Sequence, residues 1–410
     1  MYYPSSINLL NGENIEVVNP GELNIHSGPD FFNAMIKFGD IILAGNVEIH
    51  INASDWIKHG HNKDKAYDNV ILQLVLNRDA EIKRSNGDII PTAEIRFDKR
   101  LYSNYSQLIR NECWIPCQCF ITGVEFTVIR QWLNYQAINR LSQKALLLSN
   151  ILYVNGNCWE ESFYQQLARN FGFGLNGGIF EMLARSLPYR LILKHRDNQF
   201  QLEAMLFGQA GMLENEKGDF YFESLKKEYQ FLKRKYNLKS LEKHLWKFLR
   251  LRPANFPTIR IAQFASYLHE SPSLFSTILE TSDLKRMASF FRVSASEYWD
   301  THFVFNKSSK SIRKATGLCA VNSVLINTVI PLIYFYGQKR KIDHLRERAL
   351  NFLAELPAES NSIINKWSEL GIKAENAFIS QALLMQKNEL CYFRRCLNCN
   401  IGCHIIKQLL

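Results

Sequence analysis

Apolar and polar residues follow the short period of β-strands in the first quarter of the chain. Residues 31–38 and 41–51 read as two strands joined by the two-residue turn Gly39-Asp40. Residues 70–76 (VILQLVL) form an apolar run of the kind found in a strand buried on both faces. The polar segment between them, residues 54–69, has room for one or two helical turns.

A second pair of strands is predicted at residues 81–84 and 89–97, on either side of Asn86-Gly87, a frequent hairpin turn. After residue 100 the period changes to that of amphipathic helices. The stretches with this pattern are residues 127–148, 159–171, 222–235, 241–251, 259–269, 282–291, 323–336, 344–353 and 360–370.

These patterns predict an α+β protein with two domains. A chain of 410 residues exceeds the size at which a single hydrophobic core usually stops growing. We place the boundary between residues 100 and 125. Residues 1–110 are assigned to an α/β module and residues 111–410 to a mostly helical domain.

The most apolar stretch, residues 318–336, is interrupted by Asn322, Asn327, Thr328 and Pro331. Polar residues and a proline at these positions favour a pair of buried helices over a membrane span. The first residues also lack the basic and apolar regions of a signal peptide. We therefore expect a soluble, cytoplasmic protein without a membrane partner.

The formal net charge of +10 is distributed unevenly. Residues 1–110 carry 11 Lys and Arg against 14 Asp and Glu, a net charge of −3, which leaves +13 for the rest. An acidic module joined to a basic one fits a metal site served by a polyanion-binding domain, although a basic chain also arises without nucleic acid as a partner.

Candidate chemistry begins on the first predicted hairpin. Side chains alternate along a strand, so Asn46, Glu48 and His50 project from one face, and Asp30 lies where the paired strand begins. Two carboxylates from adjacent strands form a compact site for a hard divalent ion such as Mg²⁺ or Mn²⁺. Such an ion neutralises a phosphodiester and activates water, and His50 can accept a proton or complete the coordination shell.

Further polar side chains follow the hairpin within about twenty residues. Asp55, His59, His61 and Asp64 are possible additional site residues, and another metal chemistry would use His50, His59, His61 and Asp64 as ligands. Upstream of the hairpin, two residues are candidates for an extra acid or ligand in a loop, Glu22 and His26.

The order Pro29-Asp30, hairpin, Glu48-x-His50 resembles the PD-(D/E)xK nuclease superfamily, in which Pro-Asp and a β-hairpin precede acid-x-Lys. This chain has His50 in place of lysine, and a neutral histidine lacks the charge that lysine keeps at pH 7. The following order of Trp and His-x-His is similar to very-short-patch repair endonucleases of the same superfamily.

This resemblance implies a restriction-endonuclease-like fold for residues 1–110 and metal-dependent hydrolysis of DNA or RNA. Asp30 and Glu48 would ligate Mg²⁺ or Mn²⁺, with His50 as the base or third ligand. Without catalysis, Asp30 would be a turn or cap residue and Glu48 a solvent-facing strand residue.

The cysteines are concentrated at the end of the chain. Cys391, Cys396, Cys399 and Cys403 have spacings that suit tetrahedral Zn²⁺, and four thiolates also hold an iron–sulfur cluster, which some nuclease relatives carry. Alternatively, Cys396 and Cys399 join Cys113 and Cys117, or the thiols are simply buried core residues. Their uneven distribution favours reduced cysteines over a disulfide framework.

Residues 226–252 contain ten Lys and Arg against two Glu, interleaved with aromatic residues. Such a segment can follow a phosphate backbone and stack bases. On helices, however, the aromatics are more often the buried face and the lysines the solvated one. The candidate nucleic-acid contacts are Lys233, Arg234, Lys235, Lys243, Lys247 and Arg250.

Phrases spread over most of the chain resemble a family of bacterial proteins, a domain of unknown function common among Bacteroidetes. They read NPGELN, GPDF, GNVEIH, SDW, RPANFPTIRIAQ and RRCLNCNIG. This wider resemblance implies no activity. Two functions therefore stay open: a metal-dependent nuclease, and a non-catalytic protein that binds nucleic acid or a protein partner through a nuclease-like module.

Overall fold

A computed structural model describes residues 6–8, 14–24, 26–95, 98–214, 217–271 and 274–408. The chain divides into two compact units. The N-terminal unit consists of Met1–Val128 together with Leu390–Leu410, and the helical unit consists of Ile129–Glu389. The predicted α+β class is confirmed, since the first unit contains a mixed sheet and the second is helical.

The N-terminal unit is built on one mixed β-sheet with the strand order β1-β2-β4-β5-β6-β7, and β3 pairs with β4. The strands are β1 (Ser6–Asn8), β2 (Asn14–Asn19), β3 (Glu22–Leu23), β4 (Phe31–Phe38), β5 (Ile41–Asn52), β6 (Val70–Asn77) and β7 (Thr92–Glu94). Pairing is antiparallel from β1 to β5 and parallel from β5 to β7. The predicted hairpin of β4 and β5 and the predicted strand β6 are confirmed.

β6 is buried because each face of the sheet has its own apolar cluster. Val47 and Leu72 belong to the cluster on one face. Val75 belongs to the second cluster, together with Trp56 and Tyr67 from the segment between β5 and β6. An apolar run is what a strand with two covered faces requires.

The predicted second hairpin is confirmed at its turn but not in the length of its strands. Arg84 N donates to Asp88 O at 2.9 Å and Ile90 N donates to Ile82 O at 3.1 Å, but Lys83 and Ile89 form only an isolated antiparallel bridge. The strand that follows is the short β7, parallel to β6. Trp56 explains part of this difference, because its indole Nε1 donates a hydrogen bond to Lys83 O at 3.1 Å. The end of the predicted strand, residues 96 and 97, lies outside the described residues.

The segment between β5 and β6 has the predicted helical turns. They are the short helix α1 (Asp55–Lys58) and two 3₁₀ turns, His61–Lys63 and Lys65–Tyr67. Trp56 is fully buried and anchors this segment on the sheet. The turns therefore hold the histidines of the segment close to β5.

Two helices complete the N-terminal unit. Asp98 caps α2 (Lys99–Arg110), and the amide of Asn104 donates a hydrogen bond to Ile406 O at 3.0 Å. Ile406 lies on the last helix of the chain, Asn400–Gln408. The observed division thus differs from a single boundary at residue 110, because the last residues return to the first unit.

The remaining helices are α3 (Phe126–Val154), α4 (Trp159–Phe171), α5 (Phe173–Ser186), α6 (Tyr189–His195), α7 (Gln199–Gln209), α8 (Phe220–Tyr236), α9 (Pro257–Glu270), α10 (Leu274–Glu280), α11 (Leu284–Ser289), α12 (Leu318–Val324), α13 (Ile330–Arg340), α14 (Asp343–Glu355), α15 (Ser362–Glu369), α16 (Ala377–Met385) and α17 (Asn400–Gln408). Strands β8 (His302–Val304) and β9 (Lys307–Ser308) form a small hairpin. Most predicted helices are confirmed within a few residues.

The helix predicted at residues 241–251 is wrong. Only a 3₁₀ turn, Lys243–Leu245, occurs there. Leu241 N donates to Gln209 O at 2.7 Å, and Lys247 N donates to the Asn176 side chain at 2.9 Å. Tertiary hydrogen bonds therefore replace the helical ones.

The apolar stretch is one continuous helical rod rather than a helix pair. A π-helical turn, Leu325–Val329, joins α12 to α13, with Pro331 in the first turn of α13. The rod, Leu318–Arg340, is long and apolar enough to cross a membrane, yet most of it is buried. Its side chains belong to the core of the helical unit, as in a core helix of a soluble protein.

Gly45 on β5 provides a test of this packing. A Cβ atom there would lie 2.4 Å from Ile71 Cγ2 and 2.7 Å from Asn69 O. We expect Gly45→Ala to lower the free energy of unfolding by about 1–3 kcal/mol, because the core must shift to accept the methyl group. Gly123→Ala is the control, since nothing lies within 4 Å of its added Cβ. Urea unfolding measures both, and equal stabilities would contradict the observed packing.

Candidate metal centre

Asp30 and Glu48 are linked across the hairpin by two hydrogen bonds, each from a backbone N–H to a carboxylate. The backbone N–H of Asp30 donates to Glu48 Oε2 at 3.0 Å, and the N–H of Ile49 donates to Asp30 Oδ2 at 2.9 Å. Asp30 immediately precedes the pair Phe31 and Val47, after which the ladder shifts register. These two side-chain hydrogen bonds therefore continue the link between the two strands beyond their last backbone pair.

Alternation along β5 buries one set of side chains and exposes the other. Glu48 and His50 are 6% and 8% exposed, whereas Ile49 and Ile51 between and beyond them face solvent. Ile49 and Ile51 thus lie on the solvent-exposed face of β5, and Glu48 and His50 lie on the buried face. This inversion of ordinary strand patterning indicates a site rather than a core.

Gln73 fixes His50 from the neighbouring strand. Glu48 and Gln73 are parallel partners in the register of β5 and β6, and the Gln73 amide nitrogen lies 2.9 Å from His50 Nδ1. Gln73 is fully buried. Its hydrogen bond to Nδ1 leaves His50 Nε2 as the nitrogen that faces the other site residues.

His59 and His61 come from the turns between β5 and β6. Gly60, which separates them, has a φ of 78°, in the left-handed region that glycine adopts without strain. His61 stacks on the Tyr67 ring at 3.9 Å, and the Trp56 ring meets it edge-on at 5.3 Å. These two ring contacts fix the orientation of the His61 imidazole.

Three imidazoles converge beside the buried carboxyl group. One ligand nitrogen from each of His50, His59 and His61 lies within 4.8 Å of the other two. His59 Nδ1 is 3.2 Å from His50 Nε2. Glu48 Oε1 lies 3.5 Å from His50 Nε2 and 3.4 Å from His61 Nε2.

Burial and neighbouring charges set the protonation of this group. Burial and the negative charge of Asp30 raise the pKa of Glu48 to about 7, against the backbone hydrogen bond from Asp30. Burial and the charges of His61 and His59 lower the pKa of His50 to about 4. The pKa of His61 is lowered for the same two reasons, burial and His59. At neutral pH these two imidazoles are uncharged, as metal ligands must be.

The donor set fits a divalent transition-metal ion. Nitrogen ligands at about 2.0–2.1 Å from a tetrahedral ion lie roughly 3.3 Å apart, close to the 3.2 Å between His59 and His50. Imidazole suits Zn²⁺, Fe²⁺ and similar ions, whereas Mg²⁺ prefers oxygen ligands and bound water. The three histidines therefore form a candidate metal-binding group.

Other sequence-predicted site residues lie outside this cluster. Asp55 accepts hydrogen bonds from Lys58 and from Asn52 N, which lower its pKa to about 2. Asp64 caps a 3₁₀ turn by accepting from Ala66 N at 2.9 Å. Glu22 and His26 are exposed.

Sequence reasoning missed Gln73. It is the one polar residue of the apolar run VILQLVL, and an amide in a strand covered on both faces requires partners. Thr92 Oγ1 donates to Gln73 Oε1 at 3.3 Å, so the amide is held from both sides. A lone glutamine in a buried strand was the available signal.

The cysteines form two groups in the N-terminal unit. Cys117, Cys391, Cys396 and Cys399 are buried, and Cys117 has the other three as its electrostatic neighbours. Cys403 Sγ instead donates to Leu397 O at 3.2 Å. Cys113 is exposed and hydrogen bonds with Cys119. The first group thus combines members of both predicted sets.

The basic segment is mostly at the surface of the helical unit. The exposed cations among the candidates are Arg234, Lys235, Lys243, Lys247 and Arg250. Lys233 is half-buried and donates to Glu214 and Ser240. Tyr229 and Trp246 are core residues, so these aromatics form the buried face.

Metal affinity tests the histidine cluster. We expect Zn²⁺ or Mn²⁺ to bind at one ion per chain, and His59→Ala to abolish tight binding. Gln73→Leu should weaken binding by about 10–100-fold, because it removes the partner that orients His50. His26→Ala is the matched control. Equilibrium dialysis gives the affinities, and unchanged binding by His59→Ala would exclude this site.

Stability against pH tests the two opposite pKa shifts in the metal-free protein. The lowered pKa of His50 makes stability fall as pH decreases from 6.5 to about 4, since the unfolded chain is protonated first. The raised pKa of Glu48 makes stability fall as pH increases from 4.5 to about 7. The two contributions offset each other between 4.5 and 6.5.

Glu48→Gln removes one of these contributions. We expect its free energy of unfolding to fall, relative to the wild type, as pH is lowered from about 6.5 to 4.5. Glu22→Gln, at an exposed position, should follow the wild type. Urea unfolding at several pH values measures the difference, and parallel curves for Glu48→Gln would contradict the assigned protonation.

A comparison with protein-family models matches residues 2–362 to a family described as a protein of unknown function (DUF2851). No curated protein and no solved structure matches the chain. Because the family match spans most of the 410 residues, the chain belongs to this family of unknown function.

Proposed function

We propose that the N-terminal unit is a metal-dependent hydrolase of phosphodiester bonds in nucleic acid. The observation that carries the proposal is the group of three imidazoles beside the buried carboxyl of Glu48. Three histidines leave coordination positions open for water and substrate, as catalytic sites do. The order of Pro29-Asp30, hairpin and Glu48 adds its resemblance to the PD-(D/E)xK nucleases.

His50, His59 and His61 would hold the ion, with Zn²⁺ a better fit than Mg²⁺. When bound, the ion supplies polarisation of a phosphoryl oxygen and a lowered pKa for water. This assignment differs from the sequence-based expectation, in which Asp30 and Glu48 were the ligands. The imidazole nitrogens converge, whereas one oxygen of each carboxylate accepts a hydrogen bond from a backbone N–H.

Glu48 is then the acid–base group. Hydrolysis adds water across a P–O bond: the oxygen joins phosphorus, one proton leaves the water, and one proton reaches the departing oxygen. Glu48 Oε1 faces the imidazoles, so the carboxyl can take the first proton and return it to the leaving group.

Asp30 is a positioning residue in this scheme. Its N–H fixes Glu48 Oε2, and its charge keeps the Glu48 proton bound to a higher pH.

A reducing compartment such as the cytoplasm suits the nine cysteines, since no disulfide joins them in the described part of the chain.

Nucleic acid is the proposed substrate because of the charge on the helical unit. Arg234, Lys235, Lys243 and Lys247 are exposed within one stretch of the chain. Such cations attract the phosphate backbone without reading its sequence. Among their aromatic neighbours Tyr229 and Trp246 are buried and Phe231 is exposed, so the contact would be mainly electrostatic.

Cleavage of plasmid, single-stranded DNA and RNA tests the proposal. We expect activity with Mn²⁺ or Zn²⁺ and a loss of about 100-fold or more in Glu48→Gln, since a positioned acid–base group contributes at least that factor. Asp30→Asn should move the pH profile to lower pH, because it removes a neighbouring negative charge.

His26→Ala and Glu22→Gln are controls from the exposed part of the same unit and should remain active. Cleavage that survives both Glu48→Gln and His59→Ala would come from a contaminant or another site. Binding without cleavage at any of the metals would favour the alternative, a non-catalytic nucleic-acid-binding protein on a nuclease-like fold.

Salt dependence tests the role of the basic segment. Each phosphate contact contributes about 0.9 to the slope of log affinity against log salt on duplex DNA. We expect combined alanine substitution of Arg234, Lys235, Lys243 and Lys247 to reduce that slope by about 3 to 4. Lys307→Ala with Lys310→Ala is the control. An unchanged slope in the fourfold variant would remove this segment from the interface.

A further inference from the structure

A cavity in the helical unit lies beside the π-helical turn Leu325–Val329. Its volume is about 280 Å³, which is close to the lower end of the range for small-molecule sites, about 300–1,000 Å³. Residues of α3, α4 and α5 and of the rod Leu318–Arg340 line it. A space of this size suits a small molecule.

Side chains from two other helices complete the hydrogen bonding of the π-helical turn. Lys144 Nζ on α3 donates to Ile326 O at 3.3 Å and to Asn327 Oδ1 at 2.8 Å. Asn170 Nδ2 on α4 donates to Asn327 O at 3.2 Å and to Thr328 Oγ1 at 2.6 Å. Turns of this kind inside an α-helix are frequent at functional sites. Lys144 and Asn327 both line the cavity, so this turn forms part of its wall.

The ammonium group of Lys144 lacks a counter-ion in the described part of the chain. Its third hydrogen bond goes to another neutral acceptor, Gln381 Oε1, at 2.7 Å. Arg140 Nε donates to the same oxygen at 2.7 Å, so a second positive charge lies close by. Burial and the charge of Arg140 lower the pKa of Lys144 to about 7, against the charge of Glu359. An anion beside this ammonium group would remove the cost of an unpaired charge.

The rim of the cavity also has more positive than negative charge. Arg169 Nη1 donates to Glu181 Oε2 at 2.5 Å, and Arg185 Nη2 donates to the other oxygen of Glu181 at 2.5 Å. Two guanidinium groups thus share one carboxylate. The same cavity has an apolar wall, formed by Leu147, Leu148, Ile151 and Pro331. It therefore combines a site for an anionic group with a surface for an apolar one.

We propose that this cavity binds a small carboxylate with an apolar body, whose carboxylate group pairs with Lys144 while the body packs on Leu147 and Pro331. A monoanion matches a single unpaired ammonium group, whereas a phosphate group carries about 1.5–2 negative charges at pH 7. The carboxylate would share the ammonium group with Asn327, the acceptor that also lines the cavity. This binding site is separate from the histidine cluster of the N-terminal unit.

Binding of hexanoate to the full-length protein tests the proposal. Hexanamide is the neutral match, and inorganic phosphate is an anion without an apolar body. We expect one hexanoate per chain with a Kd of about 1 mM or tighter. Hexanamide should bind at least about 10-fold more weakly because it lacks the charge, and phosphate because it buries no apolar surface. Isothermal titration calorimetry measures all three.

Substitutions at the cavity test the assigned charges. Lys144→Met should weaken hexanoate binding by at least about 10-fold, and Lys373→Met, at an exposed position of the same unit, should not. Arg169→Gln should weaken binding and Glu181→Gln should strengthen it, each by about 2- to 5-fold. Glu48→Gln should bind like the wild type, which separates this test from that of the proposed hydrolase.

Equal affinities for hexanoate and hexanamide would overturn the proposal, as would phosphate binding as tight as that of hexanoate or no binding of hexanoate at 10 times the expected Kd. If Lys144→Met does not fold, the two rim variants decide, because changes of the same sign or no change in either would contradict a charged site. In the wild type, hexanoate affinity should fall as pH rises through about 7, where Lys144 loses its proton, and hexanamide affinity should not. A hexanoate affinity independent of pH would exclude Lys144 as the partner.

Discussion

The parallel register between β5 and β6 is the constraint on which the candidate site depends. It sets Glu48 beside Gln73 and His50 beside Val75, with the acid, the amide and the imidazole on one face. Strand side chains alternate, so a slip of one residue would send Glu48 and His50 to the opposite face. The apolar clusters on both faces prevent such a slip, because each would lose its buried residues.

The electrostatic state of the site follows from this burial. Burial disfavours charge, so the Glu48 carboxyl keeps its proton to a pH near 7 and the imidazoles of His50 and His61 are uncharged at neutral pH. A cation bound at the imidazoles would instead favour the ionised form of the Glu48 carboxylate. Metal binding at this candidate site would therefore be coupled to release of the Glu48 proton.

Much of the site could be anticipated from local pattern. Alternation along one strand groups Glu48 with His50, and a two-residue turn places Asp30 opposite them. The convergence of His59 and His61 depended on how Trp56 packs, and the role of Gln73 depended on a strand that is adjacent in space but twenty-three residues later. Local pattern carries neither kind of information, since both arise from tertiary contact.

The difference between local pattern and tertiary contact also explains the wrong helix prediction. Residues 241–251 have helical periodicity, but their backbone donates to Gln209 and Asn176 in other helices. The cysteine ligand set stays a prediction, because spacing alone groups residues that are near in sequence. Cys403 was chosen for its spacing, and Cys117, from the other predicted pair, has Cys391, Cys396 and Cys399 as electrostatic neighbours.

A discontinuous first unit has a consequence for biosynthesis. The ribosome delivers β1 to α2 early, yet the segment that completes this unit emerges only after the whole helical unit. At about 5–20 residues per second this interval is roughly 13–50 s. During that time the amide of Asn104 on α2 has no Ile406 carbonyl to bond, and the incomplete unit is exposed to aggregation.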